Sequence, residues 1–146
     1  LRAFLLYRTY HGSAMSPLVQ RASIAAWGDE RHVQENRDFY RSKFAQVLPL
    51  LADVLDVRLP DAGFYLWAAV PAKPGADAGG VGDDIAFALG LLAQYNVAVL
   101  PGSLLAREAQ GINPGAGRIR MALVAGVDEC VEAAERIVEF TRKTVQ

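Results

Sequence analysis

The stretch Gly117-Arg118-Ile119-Arg120-Met121-Ala122-Leu123-Val124 decides the fold that the sequence predicts. Apolar side chains dominate it, and a loop rich in glycine and proline precedes it, which is typical of a short buried strand. Arg118 and Arg120 stand two positions apart and therefore on one face of that strand. A guanidinium meets a carboxylate with two parallel hydrogen bonds, so an arginine here is a candidate anion-binding residue. The alternative is that both side chains are solvated or structurally paired, because arginine is mostly exposed.

Length and composition place the chain among globular proteins. It has 146 residues, 52% of them hydrophobic and 21% charged, so one domain, or one domain with an appended piece, is expected. The formal net charge of −1 indicates neither nucleic acid nor an anionic membrane as a partner. No apolar run approaches the roughly 20 residues that span a bilayer. The single cysteine, Cys130, allows no internal disulfide, which favours a reducing, cytoplasmic location.

The order of the predicted elements indicates an α+β fold, in which helices cover a small mixed or antiparallel sheet. Residues 1–7 resemble the end of a helix, and the absence of a starting methionine suggests a fragment of a longer protein. Ser16 and Pro17 supply an N-cap and a first-position proline for the next helix. Asp29 caps a long amphipathic helix, which Pro49 should kink or divide into a last separate turn.

Four short stretches are predicted as strands, and two more helices lie between and after them. The stretch 97–100 is fully apolar and is therefore expected to be a central strand. The predicted strands are residues 57–60, 64–70, 97–100 and 117–124, and the predicted helices are 84–95, capped by Asp83 or Asp84, and 129–143. Cys130 falls on the apolar side of the last helix and is interpreted as a small core residue. His11 and His32 show no metal-ligand spacing, so no metal site is predicted.

Four pieces of the sequence, in this order, resemble the C-terminal part of the fold-type I, pyridoxal-phosphate-dependent aminotransferases of class I/II. The pieces are residues 16–22 (SPLVQRA), 61–67 (DAGFYLW), 97–103 (VAVLPGS) and 117–124 (GRIRMALV). Residues 10–17 (YHGSAMSP) and 113–115 (NPG) are most similar to the N-succinyldiaminopimelate aminotransferase subfamily of bacteria. The resemblance implies a small C-terminal domain, residues 29–146, preceded by the tail of the large cofactor-binding domain, residues 1–28.

The resemblance also implies roles for particular residues. The arginine before Met121, which is Arg120, matches the family's residue for the substrate α-carboxylate. Arg118 is near it but does not match that position, and a surface or structural role is expected. The segment from residue 10 to 15 corresponds to a region near the dimer interface and the partner's cofactor. Its possible site-adjacent residues are Tyr10, Ser13 and Met15.

The sequence departs from the family in the residues that handle the cofactor. The chemistry requires a lysine that forms a Schiff base, an acid for the pyridinium nitrogen, and donors for the phosphate. The three lysines, Lys43, Lys73 and Lys143, lack the Ser-x-x-Lys context of the family, and all three are expected to be exposed. The resemblance therefore places the cofactor residues upstream of residue 1, and no catalytic or cofactor-binding residue is assigned in this chain.

These expectations describe a fragment of an aminotransferase that would be inactive by itself. The whole protein would use pyridoxal 5'-phosphate to move an amino group between glutamate and a keto-acid, N-succinyl-2-amino-6-ketopimelate, in lysine biosynthesis. Its partners would be dicarboxylic amino-acid and keto-acid substrates and a second copy of itself, without nucleic acid or membrane. The alternatives are another class I aminotransferase, of aspartate or aromatic substrates, and a non-catalytic carboxylate-binding or regulatory α+β domain.

Overall fold

The structure is a computed structural model that describes residues 1–12, 14–72 and 82–145. The chain divides into two compact units, Leu1–Asp38 and Phe39–Gln146, which are described separately. The division of the chain at residue 28 into two domains of a longer protein stays a prediction, because it concerns the whole protein. The expectation for Ser13 and that for Lys73 lie outside the described residues.

The first unit contains α1 (Arg2–Tyr10), α2 (Pro17–Trp27) and the beginning of α3 (Arg31–Ala52). Local caps define where these helices begin. The Ser16 side chain accepts the backbone N–H of Val19 at the start of α2, as predicted. Asp29 accepts the N–H of Arg31 at 3.0 Å, so it caps α3 as predicted. The first helix extends beyond its predicted end at residue 7. Its backbone hydrogen bonds continue as far as the one that the His11 N–H donates to Tyr7 O.

The second unit is built on a four-stranded antiparallel sheet in the order β1-β2-β4-β3. The strands are β1 (Asp56–Val57), β2 (Tyr65–Ala69), β3 (Leu100–Pro101) and β4 (Arg118–Ala122). The predicted α+β class and the strand that carries both arginines are therefore confirmed. Strand β4 is paired on both sides, so its register with β2 and β3 fixes the sheet.

The prediction of a central strand at residues 97–100 was wrong. The strand begins only at Leu100, has two residues and lies at the edge of the sheet. Val97 and Val99 pack on the core without belonging to a strand, and this packing explains why the stretch is apolar. Proline has no N–H for a ladder, which suits Pro101 to an edge. The strand predicted at residues 57–60 is likewise shorter and shifted, at Asp56–Val57.

Helices cover one face of this sheet and form the core with it. They are α3, α4 (Asp84–Tyr95) and α6 (Val127–Val145), and a single turn, α5 (Gly102–Leu105), follows β3. Alternate residues of the two inner strands are buried in this core: Leu66, Ala68, Ile119 and Met121. Cys130 lies in the same cluster and burial raises the pKa of its thiol, in agreement with the predicted core role. The long helix is continuous through Pro49, so no separate last turn forms.

Lys43 corrects a prediction from the sequence. It was expected on the polar, exposed face of α3, but the side chain is completely buried. Its Nζ donates to the backbone O of Leu123 at 2.7 Å and lies 4.1 Å from the centre of the Phe39 ring. Lys43 stands four and eight positions before the buried Val47 and Leu51, so its aliphatic stem extends their stripe.

Asp84 is a second buried polar residue, and it connects α4 to the turn after β3. Its Oδ2 accepts the backbone N–H of Ser103 at 2.7 Å. Burial alone would raise the pKa of Asp84, but this hydrogen bond, the nearby Ser103 hydroxyl and the N–H groups of Asp84 and Gly117 favour the carboxylate and lower the pKa overall. The hydroxyl itself is buried without a hydrogen bond of regular geometry among the described residues.

Replacing Lys43 with methionine should destabilise the second unit. Methionine fills similar space, but it leaves the Leu123 carbonyl without its donor, which costs about 1–3 kcal/mol of unfolding free energy. Urea unfolding followed by circular dichroism measures the loss. The control is Lys143→Met, at an exposed lysine on α6, which should lose clearly less. Equal losses for the two variants would contradict the role given to the buried amine.

Replacing Asp84 with asparagine should lower the unfolding free energy at pH 7 by about 1 kcal/mol, because a charged acceptor becomes a neutral one. The folded-state pKa lies below the ordinary 3.8, so the contribution is complete above about pH 4 and disappears as the pH falls through the folded-state pKa. Denaturant unfolding across pH 2–7 measures the difference between wild type and variant. The exposed Asp53→Asn is the control, and an Asp84 difference that grows towards low pH would refute the assignment.

Candidate functional site

The uncovered side of the sheet carries aromatic and basic side chains from its two inner strands. Since alternate residues are buried on the helix side, the residues between them point away from the core. These residues, called the open face below, are Tyr65 and Trp67 on β2 and Arg118 and Arg120 on β4. Arg120 is the cross-strand neighbour of Trp67 and of Leu100. The prediction that the two arginines share one face is therefore confirmed.

The Arg120 guanidinium lies over an aromatic ring, and its N–H groups remain available as hydrogen-bond donors. The carbon at the centre of its guanidinium lies 4.6 Å from the centre of the Tyr65 ring, which is a cation–π contact. The side chain is half-buried, and no carboxylate of the described residues lies within 4.0 Å to pair with it. A guanidinium held by its face in this way presents its N–H edge to a ligand. This geometry is compatible with carboxylate binding, and the predicted role of Arg120 stays a prediction.

A cavity of about 450 Å³ adjoins the open face beside Arg118. It is called the Arg118 cavity below, and its lining residues are Asp56, Arg58, Leu59, Pro60, Trp67 and Arg118. Two guanidinium groups and one carboxylate give it a formal charge of +1. Trp67 belongs to this cavity and is also the strand partner of Arg120, so the cavity and Arg120 are adjacent on the sheet.

Two glycine turns support Trp67. A Cβ on Gly102 would lie 2.6 Å from the Trp67 ring and would also collide with the carbonyl of Gly115, so this close contact requires glycine. Asn113 connects the turns, since its Nδ2 donates to Ser103 O and its Oδ1 accepts the Gly115 N–H, both at 2.9 Å. The tie made by Asn113 was not predicted, although an asparagine before Pro-Gly is a turn signal.

The predicted site residues fall in two separate units. Tyr10 is in the last turn of α1, beyond the predicted end of that helix at residue 7, and Met15 precedes α2. Both are exposed residues of the first unit, whereas Arg118 and Arg120 belong to the second. Ser13 lies outside the described residues. The possible roles of these three residues beside the site stay predictions.

The lysines of the described residues do not fit a Schiff base with pyridoxal phosphate. Such a lysine must be available as a neutral amine near pH 7. Lys43 points into the core towards Leu123 O, as described above. Lys143 donates to Glu139 at 2.6 Å and to the Tyr95 hydroxyl at 2.9 Å, and these two contacts, the carboxylate first, raise the pKa of the lysine. The cofactor therefore finds no covalent partner in the part of the chain that the structure describes.

The described residues offer neither a metal centre nor a membrane-spanning helix. Within residues 1–12, 14–72 and 82–145, no group of three or more histidine, cysteine, aspartate or glutamate residues is placed to hold a metal ion. None of the helices in these ranges combines the length and the apolar composition that crossing a bilayer requires. The open face with its two arginines is therefore the candidate site in the second unit.

Comparisons with known proteins agree with the resemblance. No family model matches the sequence. The LL-diaminopimelate aminotransferase of Nitratidesulfovibrio vulgaris is 33% identical over 130 residues, which cover 88% of this chain and 30% of that protein. The crystal structure of an aminotransferase from Neisseria meningitidis is 55% identical with a TM-score of 0.82, over 97% of this chain and 34% of that one. A structure described as a probable N-succinyldiaminopimelate aminotransferase, from Thermus thermophilus, is 33% identical with a TM-score of 0.59, over 77% of this chain and 26% of that one.

These matches cover most of the chain but only a part of each relative. The chain spans about 30% of the length of the curated relatives it matches. In sequence and in structure, the neighbours of this chain are therefore fold-type I aminotransferases, and its α+β fold matches the C-terminal domain of those enzymes.

Proposed function

We propose that the protein to which this chain belongs is a pyridoxal-phosphate-dependent aminotransferase, and that this chain supplies the residue that binds the substrate α-carboxylate. The names of its relatives in sequence and structure support the activity. The observation that carries the role of the chain is Arg120, on the doubly paired strand β4 of the open face, with its guanidinium on the Tyr65 ring and its donors unpaired by the described carboxylates.

Arg120 would serve the amino donor and the amino acceptor alike. Both substrates of an amino transfer carry an α-carboxylate, and a bidentate contact fixes the position and the orientation of that group. Tyr65 limits the rotation of the guanidinium, and the pairing of β4 on both sides fixes its backbone. The described residues do not fit the cofactor, so none of them has a proposed role in the transfer of the amino group itself.

The acceptor we propose is the keto-acid N-succinyl-2-amino-6-ketopimelate, whose pimelate chain carries a carboxylate at each end and whose succinyl group carries a third, with glutamate as the amino donor. The support is that the Thermus structure is described as a probable N-succinyldiaminopimelate aminotransferase and the Nitratidesulfovibrio relative is named an LL-diaminopimelate aminotransferase. Lysine biosynthesis, a homodimer and a cytoplasmic location follow as parts of the same proposal. They rest on the resemblance to the family.

The first test is Arg120→Ala in the full-length protein. Removing one partner of a hydrogen-bonded charge pair costs roughly 2–5 kcal/mol, so kcat/KM should fall more than about 30-fold for the amino donor and for the acceptor. Arg118→Ala should do much less with a donor whose only carboxylate is the α-carboxylate. Steady-state kinetics with both substrates measures this. Equal, small losses for the two variants would exclude Arg120 as the α-carboxylate residue.

The second test concerns this chain by itself. We expect it neither to bind pyridoxal phosphate specifically nor to transaminate, because Lys43 is engaged in the core and Lys143 is stabilised as an ammonium ion. Titration with the cofactor should give no stoichiometric, saturable imine absorbance band, and borohydride should trap only scattered, substoichiometric adducts. One lysine trapped at full stoichiometry, together with turnover of an amino acid, would show that a complete site exists in the chain.

A further inference from the structure

The Arg118 cavity is a charged depression whose two arginines have no side-chain partner among the described residues. Within the described residues, neither Arg58 nor Arg118 forms an ion pair or a hydrogen bond with another side chain. Asp56 lines the same cavity but lies beyond the 4.0 Å ion-pair distance from both of them. The guanidinium donors are thus available, and the formal charge of +1 favours an anion.

The position of the cavity relates it to Arg120. Residues two apart on a strand have Cα atoms about 6.6 Å apart, so Arg118 and Arg120 stand in line along β4. Trp67 lies opposite Arg120 in the sheet and also lines the cavity, where Leu59 and Pro60 add apolar surface. A ligand held at Arg120 and extended along β4 therefore passes beside Trp67 and reaches a second guanidinium at Arg118.

We infer that the Arg118 cavity binds the second carboxylate of a dicarboxylic substrate whose α-carboxylate is held by Arg120. This inference rests on the proposed function and names the residues that select the substrate class. Two cationic groups in line on one strand, with apolar surface beside them, match a molecule with two carboxylates joined by a chain of methylene groups. Arg118 thus has a role in specificity, in place of the surface or structural role that the sequence alone favoured.

Aspartate and longer diacids are distinguished by the same geometry. Two carboxylates held by Arg118 and Arg120 are separated by a distance on the order of the 6.6 Å between the Cα atoms. Substrates with several methylene groups between the carboxylates reach both arginines, whereas aspartate has a single methylene group between its side-chain carboxylate and its α-carbon. The preference should therefore rise from aspartate through glutamate to 2-aminopimelate.

The test compares two amino donors that differ only in the terminal carboxylate, 2-aminopimelate and 2-aminoheptanoate. The full-length holoenzyme is mixed with the donor alone, so that recognition of an acceptor does not enter the measured half-reaction. Arg118→Ala should lower the specificity constant for 2-aminopimelate about tenfold. This corresponds to the lower end of the free-energy range for a hydrogen bond to a charged group, as suits a half-buried site. It should leave 2-aminoheptanoate unchanged within about twofold.

Three further variants separate recognition of charge from damage to the fold. Arg58→Ala should shift the ratio of the two donors in the same direction as Arg118→Ala. Asp56→Asn removes the negative charge from the cavity and should shift the ratio the opposite way, towards 2-aminopimelate. Arg107→Ala is the matched control, because it removes an exposed arginine that does not line the cavity. A structural defect would lower the constants for both donors together.

Binding without turnover gives an independent readout. Pimelate and heptanoate, which cannot react, are titrated into the holoenzyme by calorimetry, and Arg118→Ala should weaken only pimelate. Parallel losses for both ligands, or an unchanged ratio for both donors, would overturn the inference while leaving the proposed function standing. If the wild-type enzyme converts neither donor nor glutamate, the proposed function fails and the inference falls with it.

Discussion

The pairing register of strand β4 is the constraint on which the rest of the second unit depends. Ile119 and Met121 are buried against the helices, and in a strand this forces Arg118 and Arg120 to the opposite face. A shift of one residue would put both guanidinium groups into the apolar core, which costs far more than any hydrogen bond in the sheet returns. Pairing with β2 on one side and β3 on the other makes that slip still less favourable.

Two buried polar residues attach the surrounding elements to this strand. The amine of Lys43 holds the backbone of Leu123, just beyond the end of β4, while its stem lies in the apolar stripe of α3. The Asp84 carboxylate holds the turn at Ser103, which packs through Gly102 against Trp67. Such groups stabilise a fold only when they are satisfied, and both of these are satisfied by backbone groups. Together they fix, from the core side, the backbone segments that carry and support the open face.

The open face combines positive charge with aromatic surface, and the two features act together. Tyr65 holds the Arg120 guanidinium by its plane, and Trp67 lies opposite Arg120 and also lines the Arg118 cavity. One relative is named an LL-diaminopimelate aminotransferase and one structural neighbour a probable N-succinyldiaminopimelate aminotransferase. The proposed substrate, with a carboxylate at each end of its pimelate chain, fits a face with two available guanidinium groups. The described lysines are engaged elsewhere, so this unit is suited to recognising a substrate and leaves the cofactor chemistry to other parts of the proposed enzyme.

The sequence alone was enough to predict the α+β class, the caps at Ser16 and Asp29, and the shared face of the two arginines, because these depend on local hydrogen bonds and on the two-residue period of a strand. It left the cap of α4 open between Asp83 and Asp84, and the structure has Asp83. Only the tertiary structure decided that the apolar stretch at residues 97–100 lies at an edge, since apolar composition records burial and not strand order. The burial of Lys43 likewise depends on the tertiary structure, because the carbonyl that accepts its hydrogen bond is 80 residues away in the sequence. The Arg118 cavity arises in the same way, from residues on β1, β2 and β4 and the loop after β1 that only folding brings together.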